Sequence, residues 1–219
     1  MPQIFHPSLN TFSRVSIFGG LFFVAGVVGL MAAIVRSPYV TEVGVVREQP
    51  VPFSHAHHVG DVGIDCRYCH TTVETSAFAG IPSTSTCMNC HAELWNNAPM
   101  LEPVRASLRQ GTPLRWTRVH DLPDFVYFNH SIHVSKGVAC ASCHGDVSKM
   151  PLMWRENTLH MQWCLDCHRD PAPHLRPADQ VFDPKVVPPA LDGSHATEAE
   201  ALAALNNVQS KTDCYVCHR

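Results

Sequence analysis

The longest apolar segment of the chain lies close to its N-terminus. Residues 17–35 form a run of nineteen residues without a charged side chain, and Arg14 and Arg36 flank this run. A helix needs about 20 apolar residues to cross the hydrocarbon core of a membrane, whereas the apolar core of a signal peptide has about 7–15 residues. We therefore expect residues 17–36 to form a transmembrane anchor that stays in the mature protein, preceded by a tail of residues 1–16.

Beyond the anchor, hydrophobic and polar positions keep no regular period for long. Residues 37–50 are interpreted as a linker, and residues 51–219 as the remaining domain. The best helix candidate in this domain is the segment 197–208, which is rich in Ala, Glu and Leu. No segment alternates between apolar and polar residues as a half-buried strand does. The pattern therefore predicts a mainly α fold with extensive loops and little regular structure.

Proline breaks up two further segments of the domain. The segment 94–109 is predicted to form a short helix that is interrupted at Pro99 and Pro103, because a proline inside a helix removes a backbone hydrogen bond and clashes with the preceding turn. Six prolines between residues 171 and 190 predict an extended strap there.

An internal repeat organises the domain. Each copy opens with Phe-x-His-x-x-His and continues with two Cys-x-x-Cys-His pentads. The copies occupy residues 51–109 and 110–175, and a half unit, 176–219, contains a fifth pentad. The two opening elements are Phe53-Ser-His55-Ala-His57-His58 and Phe128-Asn-His130-Ser-Ile-His133.

Cysteine and histidine are the unusual part of the composition. The chain has ten Cys and fifteen His, and its formal net charge of −3 gives no indication of nucleic-acid binding. Ten cysteines could form five disulfides or bind zinc. However, all ten belong to the five pentads, and His directly follows the second Cys of each. Disulfides do not require that histidine, and zinc ribbons use paired Cys-x-x-Cys elements. The pattern instead predicts five covalently attached haem c groups.

In each pentad the two thiols bond to the haem edge and the histidine lies under the iron as its proximal ligand. Because haem is attached to such pentads outside the cytoplasm, we expect the domain on the periplasmic side of the cytoplasmic membrane, with a single-pass anchor and residues 1–16 in the cytoplasm. The predicted attachment residues are Cys66, Cys69, Cys87, Cys90, Cys140, Cys143, Cys164, Cys167, Cys214 and Cys217, and the predicted proximal ligands are His70, His91, His144, His168 and His218.

Five irons need five further axial ligands. His55 with His58, and His130 with His133, have the spacing i, i+3. On a helix such residues share a face but lie about one turn apart, so each pair can reach two neighbouring irons. His57 is an extra histidine and is predicted to be a bystander. Candidates for the fifth ligand are His120 and Met161, with His160, His174 and His195 as further alternatives; a thioether ligand would raise the reduction potential relative to a second imidazole.

The predicted ligand set also bears on catalysis. If all five irons have two axial ligands, no coordination site remains for a substrate. The chain is therefore predicted to transfer electrons and to have no independent catalytic site.

Four runs resemble a known family: FSHAHHVGDVGIDCRYCH, SAFAGIPSTSTCMNCH, LPDFVYFNHSIHVSKGVACASCHG and MQWCLDCHRDP. They are similar to the pentahaem cytochrome subunit of alternative complex III, a bacterial membrane complex that oxidises quinol and passes electrons to periplasmic acceptors. The resemblance covers about residues 50–175, the anchor and the closing pentad, and His57 is a departure from it.

The resemblance also implies partners. These are an iron–sulfur subunit, multi-span integral-membrane subunits near the quinol site, and a monohaem cytochrome c, with a soluble periplasmic acceptor reached indirectly. Electrons from quinol oxidation would then enter through the iron–sulfur protein and leave through the haem chain.

Two other functions fit parts of the pattern. A membrane-anchored quinol dehydrogenase of the four-haem class oxidises quinol itself and feeds a periplasmic reductase; the fifth pentad and the second Phe-x-His-x-x-His element favour the complex subunit instead. A multihaem reductase would need an iron with an open face, which gives a high-spin signal in electron paramagnetic resonance.

Overall fold

A computed structural model describes most of the 219-residue chain. The described residues are 5–185 and 196–218, so residues 1–4, 186–195 and Arg219 lie outside them. The alternative ligand His195 and the last part of the proline-rich strap therefore also lie outside the described residues.

Within the described residues the structure is helical. It contains no strand there, only the isolated β-bridges Val43–Arg155, Val46–Trp154 and Val138–Leu175, so the predicted mainly α fold with extensive loops is confirmed. The α-helices are α1 (Ser8–Arg36), α2 (Pro38–Thr41), α3 (Cys66–Cys69), α4 (Thr84–His91), α5 (Glu102–Gln110), α6 (His130–Ser135), α7 (Cys140–His144), α8 (Met161–Arg169), α9 (Ala196–Leu205) and α10 (Cys214–Cys217). A π-helix covers Ala56–Asp61, and 3-10 turns cover Pro99–Leu101, Val147–Lys149, Ala172–His174 and Ala178–Gln180.

The chain divides into two compact units, one up to Glu42 and one from Val43 onward. In the first unit, α1 has 29 residues, which corresponds to a length of about 43 Å at about 1.5 Å per residue. The helix begins at Ser8, before the predicted anchor, and ends where Ser37 adopts the extended conformation that proline imposes on the residue before it. None of its side chains is buried. Its length and apolar composition are consistent with membrane anchoring.

The second unit has a small hydrophobic core for its size. One cluster consists of Val51, Leu101 and Val104, against which Leu114 and Trp116 pack. Among the described residues of this unit only a few other apolar side chains are buried, such as Met150 and Ala139, each with an exposed fraction of 1%. Much of the packing in this unit must therefore come from something other than side-chain contacts.

The first repeat packs onto the second through its π-helix. The amide of Ala56 donates a hydrogen bond to the carbonyl oxygen of Met150 at 3.0 Å. Gly60 allows the close approach, because a Cβ at this position would lie 2.5 Å from the carbonyl oxygen of Ser148. The π-helix is therefore fitted against backbone of the other repeat.

The second repeat packs onto the first through α6. The amide of His130 donates to the carbonyl oxygen of Ala77 at 3.2 Å, and the amide of Ser131 donates to that of Ser76 at 3.2 Å. The histidine element of each repeat is thus held by backbone of the other repeat.

The proline-rich segments differ from their predicted form. Pro103 does not interrupt a helix; it is the second residue of α5, where the missing amide hydrogen has no helical partner in any case. The described part of the predicted strap is not extended, because 3-10 turns form at Ala172–His174 and Ala178–Gln180. The helix predicted over 197–208 is present as α9.

Candidate functional site

Each of the five pentads lies on a short helix. In α3 and α10 the helix covers the Cys-x-x-Cys part, and in α4, α7 and α8 it also includes the histidine. Helical i, i+3 spacing places both thiols on one face, as attachment to one haem edge requires. At α3 the Asp65 carboxylate accepts a hydrogen bond from the Arg67 amide at 2.8 Å and so caps the helix. All ten cysteines lie in the described residues and are free thiols.

Backbone carbonyl groups orient four of the five predicted proximal histidines. A ligand histidine usually donates its second ring N–H to such a group, which fixes the ring and leaves the other nitrogen for the metal. The Nδ1 contacts are His70 to Gly80 O at 2.6 Å, His91 to Leu94 O at 3.0 Å, His168 to Lys211 O at 2.9 Å and His218 to Phe125 O at 3.1 Å. In these four histidines Nε2 is left to coordinate iron.

The two Phe-x-His-x-x-His elements have the same internal geometry. In the first, the ring of Phe53 meets the edge of His55 at a centroid distance of 4.9 Å and stacks on His58 at 4.4 Å. In the second, Phe128 meets His130 at 4.8 Å and stacks on His133 at 4.5 Å. The phenylalanine therefore separates the two imidazoles of each element and directs them differently.

Three predicted distal histidines face proximal histidines at very similar distances. The ring centroids of His58 and His91 are 6.1 Å apart, those of His133 and His168 are 6.0 Å apart, and those of His130 and His144 are 6.4 Å apart. A metal–imidazole bond is about 2.0–2.1 Å long and a ring nitrogen lies about 1.1 Å from its centroid, so two imidazoles on opposite sides of one metal ion have centroids about 6.3 Å apart. All three spacings fit an iron between the rings.

The distal rings are also oriented by carbonyl groups, which the sequence reasoning missed. Nδ1 of His58 contacts Ser54 O at 2.8 Å and Nδ1 of His133 contacts Asn129 O at 2.7 Å. Both acceptors lie four residues before the histidine, so the repeat itself could have indicated them. The acceptor for His130, Ala77 O at 2.8 Å, comes from the other repeat, and no side-chain pattern signals it.

Burial lowers the pKa of three histidines, His55, His120 and His144, and so keeps them neutral. Desolvation is the main cause that lowers the pKa of both His55 and His120 to about 4. Desolvation also holds the pKa of His144 well below its usual value, and the nearby imidazole of His120 adds to this. Because neutral imidazole is the form that binds metal ions, these residues are prepared for ligation at neutral pH.

The two candidates for the fifth distal ligand lie in different surroundings. His120 is mostly buried, and its Nε2 is buried without a hydrogen-bond partner. Its ring centroid lies 4.3 Å from that of His144, which is too close for the two rings to bind opposite sides of one iron. Met161, the first residue of α8, is 65% exposed. His218 is the predicted proximal histidine of the fifth pentad. Its ring contact among the described residues is with Phe125, at a centroid distance of 5.8 Å.

His57 has other contacts than the paired rings. It stacks on Trp95 at a centroid distance of 5.5 Å, meets His58 edge-on at 5.3 Å, and its Nδ1 lies 3.5 Å from an Asp61 carboxylate oxygen. That it is a bystander stays a prediction.

Three further buried polar atoms lack a partner among the described residues, and two of them fit a haem. Nδ1 of His55 is buried without a hydrogen bond, and so is Nη2 of Arg176. Arg176 is only 6% exposed, and burial lowers its pKa. The Nη1 atom of Arg176 donates to the carbonyl oxygens of Pro173 and Leu175, and a haem carboxylate would be a partner for the remaining Nη2. Paired imidazoles, free thiols at helical spacing and a guanidinium nitrogen without a partner are together a donor set for haem c.

Comparison with known proteins agrees with this chemistry. The family described as cytochrome c7 and related cytochrome c matches residues 126–219. A curated relative, the multihaem cytochrome c subunit of menaquinone reductase from Nitratidesulfovibrio vulgaris, is 30% identical over 178 residues, which cover 79% of this chain and 78% of the relative. Covalently bound haem c follows from this relationship. The chain belongs to the multihaem cytochrome c family.

Proposed function

We propose that this chain is the pentahaem subunit of a membrane complex like alternative complex III, and that it relays electrons from quinol oxidation in partner subunits to periplasmic acceptors. The observation that carries this proposal is the set of three imidazole pairs with the spacing of iron ligands. Rings on both faces of an iron leave no position for a substrate, which favours electron transfer over bond chemistry at these three sites.

The residues of the chain have distinct tasks in this relay. Haem supplies one-electron chemistry when bound. The thiols would hold its edge and the paired imidazoles would ligate its iron, while carbonyl groups keep each imidazole in one orientation. Phe53 and Phe128 exclude water from the space between neighbouring imidazoles. For the fifth distal ligand, His120 has a buried Nε2 without a hydrogen-bond partner, but it packs against His144 of the third pentad, and Met161 is exposed; neither residue is assigned to the iron of His218.

The quinol site is proposed to lie in other subunits. Oxidation of a quinol releases two protons with its two electrons, so the site needs a base at membrane depth or at the interface. Residues 17–35 contain no ionisable side chain. The small residues Ala25, Gly29 and Ala33 lie at i, i+4 and i+8 on this helix, a spacing that allows a second membrane helix to approach closely. The proposed partners are the iron–sulfur subunit, the integral-membrane subunits and the monohaem cytochrome c.

The test is reduction of the purified chain by a quinol in the absence of partners. Reconstituted alone with a reduced menaquinol analogue, the full chain should reduce its haems no faster than a version that lacks residues 1–36. Fast, inhibitor-sensitive reduction that depends on residues 17–36 would contradict the proposal and favour the self-contained quinol dehydrogenase. Pyridine haemochrome analysis should give five haems per chain, and a ratio near four or below would contradict the pentahaem assignment.

The name of the curated relative favours a second candidate. That protein is a subunit of a menaquinone reductase, so the chain could carry electrons in the opposite direction, from a periplasmic donor to menaquinone. In this case two electrons and two protons convert the quinone to quinol. The two candidates differ in which substrate reduces the haems of the purified complex: a quinol in the first, a reduced periplasmic carrier in the second.

A further inference from the structure

The first and second pentads lie side by side. The Nδ2 atom of Asn89, inside the second pentad, donates a hydrogen bond to the hydroxyl of Tyr68, inside the first, at 3.1 Å. His58, which faces His91 of the second pentad at 6.1 Å, belongs to the same element as His55. Burial is the main cause that raises the pKa of the Cys69 thiol, and the nearby thiol of Cys87 raises it further.

The first pentad also touches the third. The thiol of Cys66 donates a hydrogen bond to the carbonyl oxygen of Phe182 at 3.5 Å, and the amide of Cys140 donates to that of the adjacent Val181 at 3.0 Å. The first pentad therefore lies between the second and the third, although it precedes both in the sequence.

The third and fourth pentads are connected by α6. His130 and His133 lie one helical turn apart on α6, and they face His144 of the third pentad at 6.4 Å and His168 of the fourth at 6.0 Å. Burial is the main cause that raises the pKa of the Cys143 thiol to about 12, and the nearby thiol of Cys167 in the fourth pentad contributes to this rise.

The fourth pentad continues to the fifth. The carbonyl oxygen of Lys211, just before the fifth pentad, accepts a hydrogen bond from Nδ1 of His168 at 2.9 Å. The Cys217 thiol is the second cause, after burial, that raises the pKa of Cys164.

The hydrogen bonds and ring contacts given above for residues 5–185 and 196–218 join no other two pentads. Hydrogen bonds and ring contacts of the second pentad lead to the first pentad and to residues of its own repeat. The hydrogen bonds and the ring contact of the fifth pentad are with Phe125 and Tyr127, which belong to none of the other pentads. Two of the ten cysteines are exposed: Cys90 in the second pentad and Cys214 in the fifth.

We propose that the five haems form one unbranched row in the order second, first, third, fourth and fifth pentad, so that electrons enter at one of the exposed end pentads, 87–91 or 214–218, and leave at the other. This inference rests on the proposed five-haem relay and adds its order. Each step moves one electron, which oxidises the iron it leaves and reduces the iron it reaches. The donor at one end and the acceptor at the other are one-electron carriers, such as an iron–sulfur protein and a cytochrome c. The third pentad, with the buried His144, is the middle of the row.

The order is tested first by the positions of the irons in the unaltered full chain, extracted in mild detergent and located by anomalous scattering or a high-resolution density map. The four shortest iron–iron separations should join pentads two and one, one and three, three and four, and four and five. Five irons with the second nearest to the third, fourth or fifth would overturn the order while leaving the five-haem assignment intact. Fewer than five irons would overturn both.

A second test breaks the row at its middle. In the Cys140→Ala/Cys143→Ala variant of the intact complex, four haems remain as two separate pairs, whichever end receives electrons. Rapid mixing with the physiological donor should therefore reduce half of the remaining haem quickly and the other half slowly. Removing an end haem with Cys214→Ala/Cys217→Ala or Cys87→Ala/Cys90→Ala leaves an unbroken row, so one of these two variants should show rapid reduction of all four. Rapid reduction of all four haems in the middle variant would overturn the proposal.

Discussion

At the scale of single residues, two phenylalanines determine how two histidines one turn apart can serve different irons. Phe53 stacks on His58 and makes a T-shaped contact with His55, with interplanar angles of 18° and 85°. Phe128 repeats this arrangement with angles of 29° for His133 and 88° for His130. Because stacked and edge-on contacts are both favourable for aromatic rings, each imidazole has one preferred direction before any iron is bound.

The first prediction concerns these imidazoles. Replacing His58 with Ala should leave all haems attached, because attachment uses the thiols, but should convert one iron of five to the high-spin state, because His91 then lacks its partner. Electron paramagnetic resonance and the visible spectrum measure this change.

The matched control is His57→Ala, in the same element. This side chain stacks on Trp95 instead of facing a pentad, so the variant should stay wholly low-spin. A His58→Ala protein with an unchanged low-spin spectrum would show that the 6.1 Å pair does not hold an iron.

The second prediction concerns the buried guanidinium of Arg176. If this group pairs with a haem carboxylate, its positive charge favours the reduced iron, and Arg176→Leu should lower the reduction potential of one haem by roughly 30–60 mV, equivalent to about 1 kcal/mol. A spectroelectrochemical titration measures the shift. Arg109→Leu serves as the control, since Arg109 is 60% exposed and pairs with Glu102. Equal titration curves for all three proteins would refute the pairing.

At the scale of elements, the sequence predicts best what is local. The pentads, the histidine elements and α9 depend on neighbours within a few residues, and their patterns are visible in the chain. The π-helix at Ala56–Asp61 was not predicted, because its form depends on packing against the second repeat. The carbonyl acceptors Ala77, Lys211 and Phe125 could not be predicted either, because every residue has a backbone carbonyl and only the tertiary fold decides which one meets a ring.

The third prediction tests the contact of the π-helix. Gly60→Ala should lower the free energy of unfolding by about 1–3 kcal/mol, because the new Cβ would lie 2.5 Å from the backbone oxygen of Ser148, which cannot move like a flexible side chain. For a unit of this size the melting temperature should fall by several degrees, roughly 2–4 °C per kcal/mol. Thermal unfolding followed by circular dichroism in the haem band measures it. Val62→Ala, at an exposed position that caps the same helix, should change it by less than about 1 °C.

At the scale of the whole molecule, one chain joins two units of different character: an apolar helix whose composition suits a membrane, and a larger unit that carries the pentads. The first unit is an apolar helix with no buried side chain, and the second has few buried apolar residues. In the second unit, haem faces would supply the apolar surface that side chains do not. The chain without haem should therefore be much less stable than the loaded protein.

The fourth prediction separates the two units. A chain that lacks residues 1–36 should retain all haems, with unchanged visible spectra, but should move from the membrane fraction to the soluble fraction. The full chain should be found in membranes with residues 17–36 still present by mass spectrometry. A mature N-terminus beyond Val35 would contradict the anchor.

The exchange of contacts between the repeats has a consequence for how the protein is made. Ala77 of the first repeat receives His130 of the second, and Met150 of the second receives Ala56 of the first. An exported chain emerges from its N-terminal side, so its earlier half is exposed while these contacts are still absent. On the proposed export of the domain, the contacts of the first repeat are therefore completed only after the second repeat has emerged.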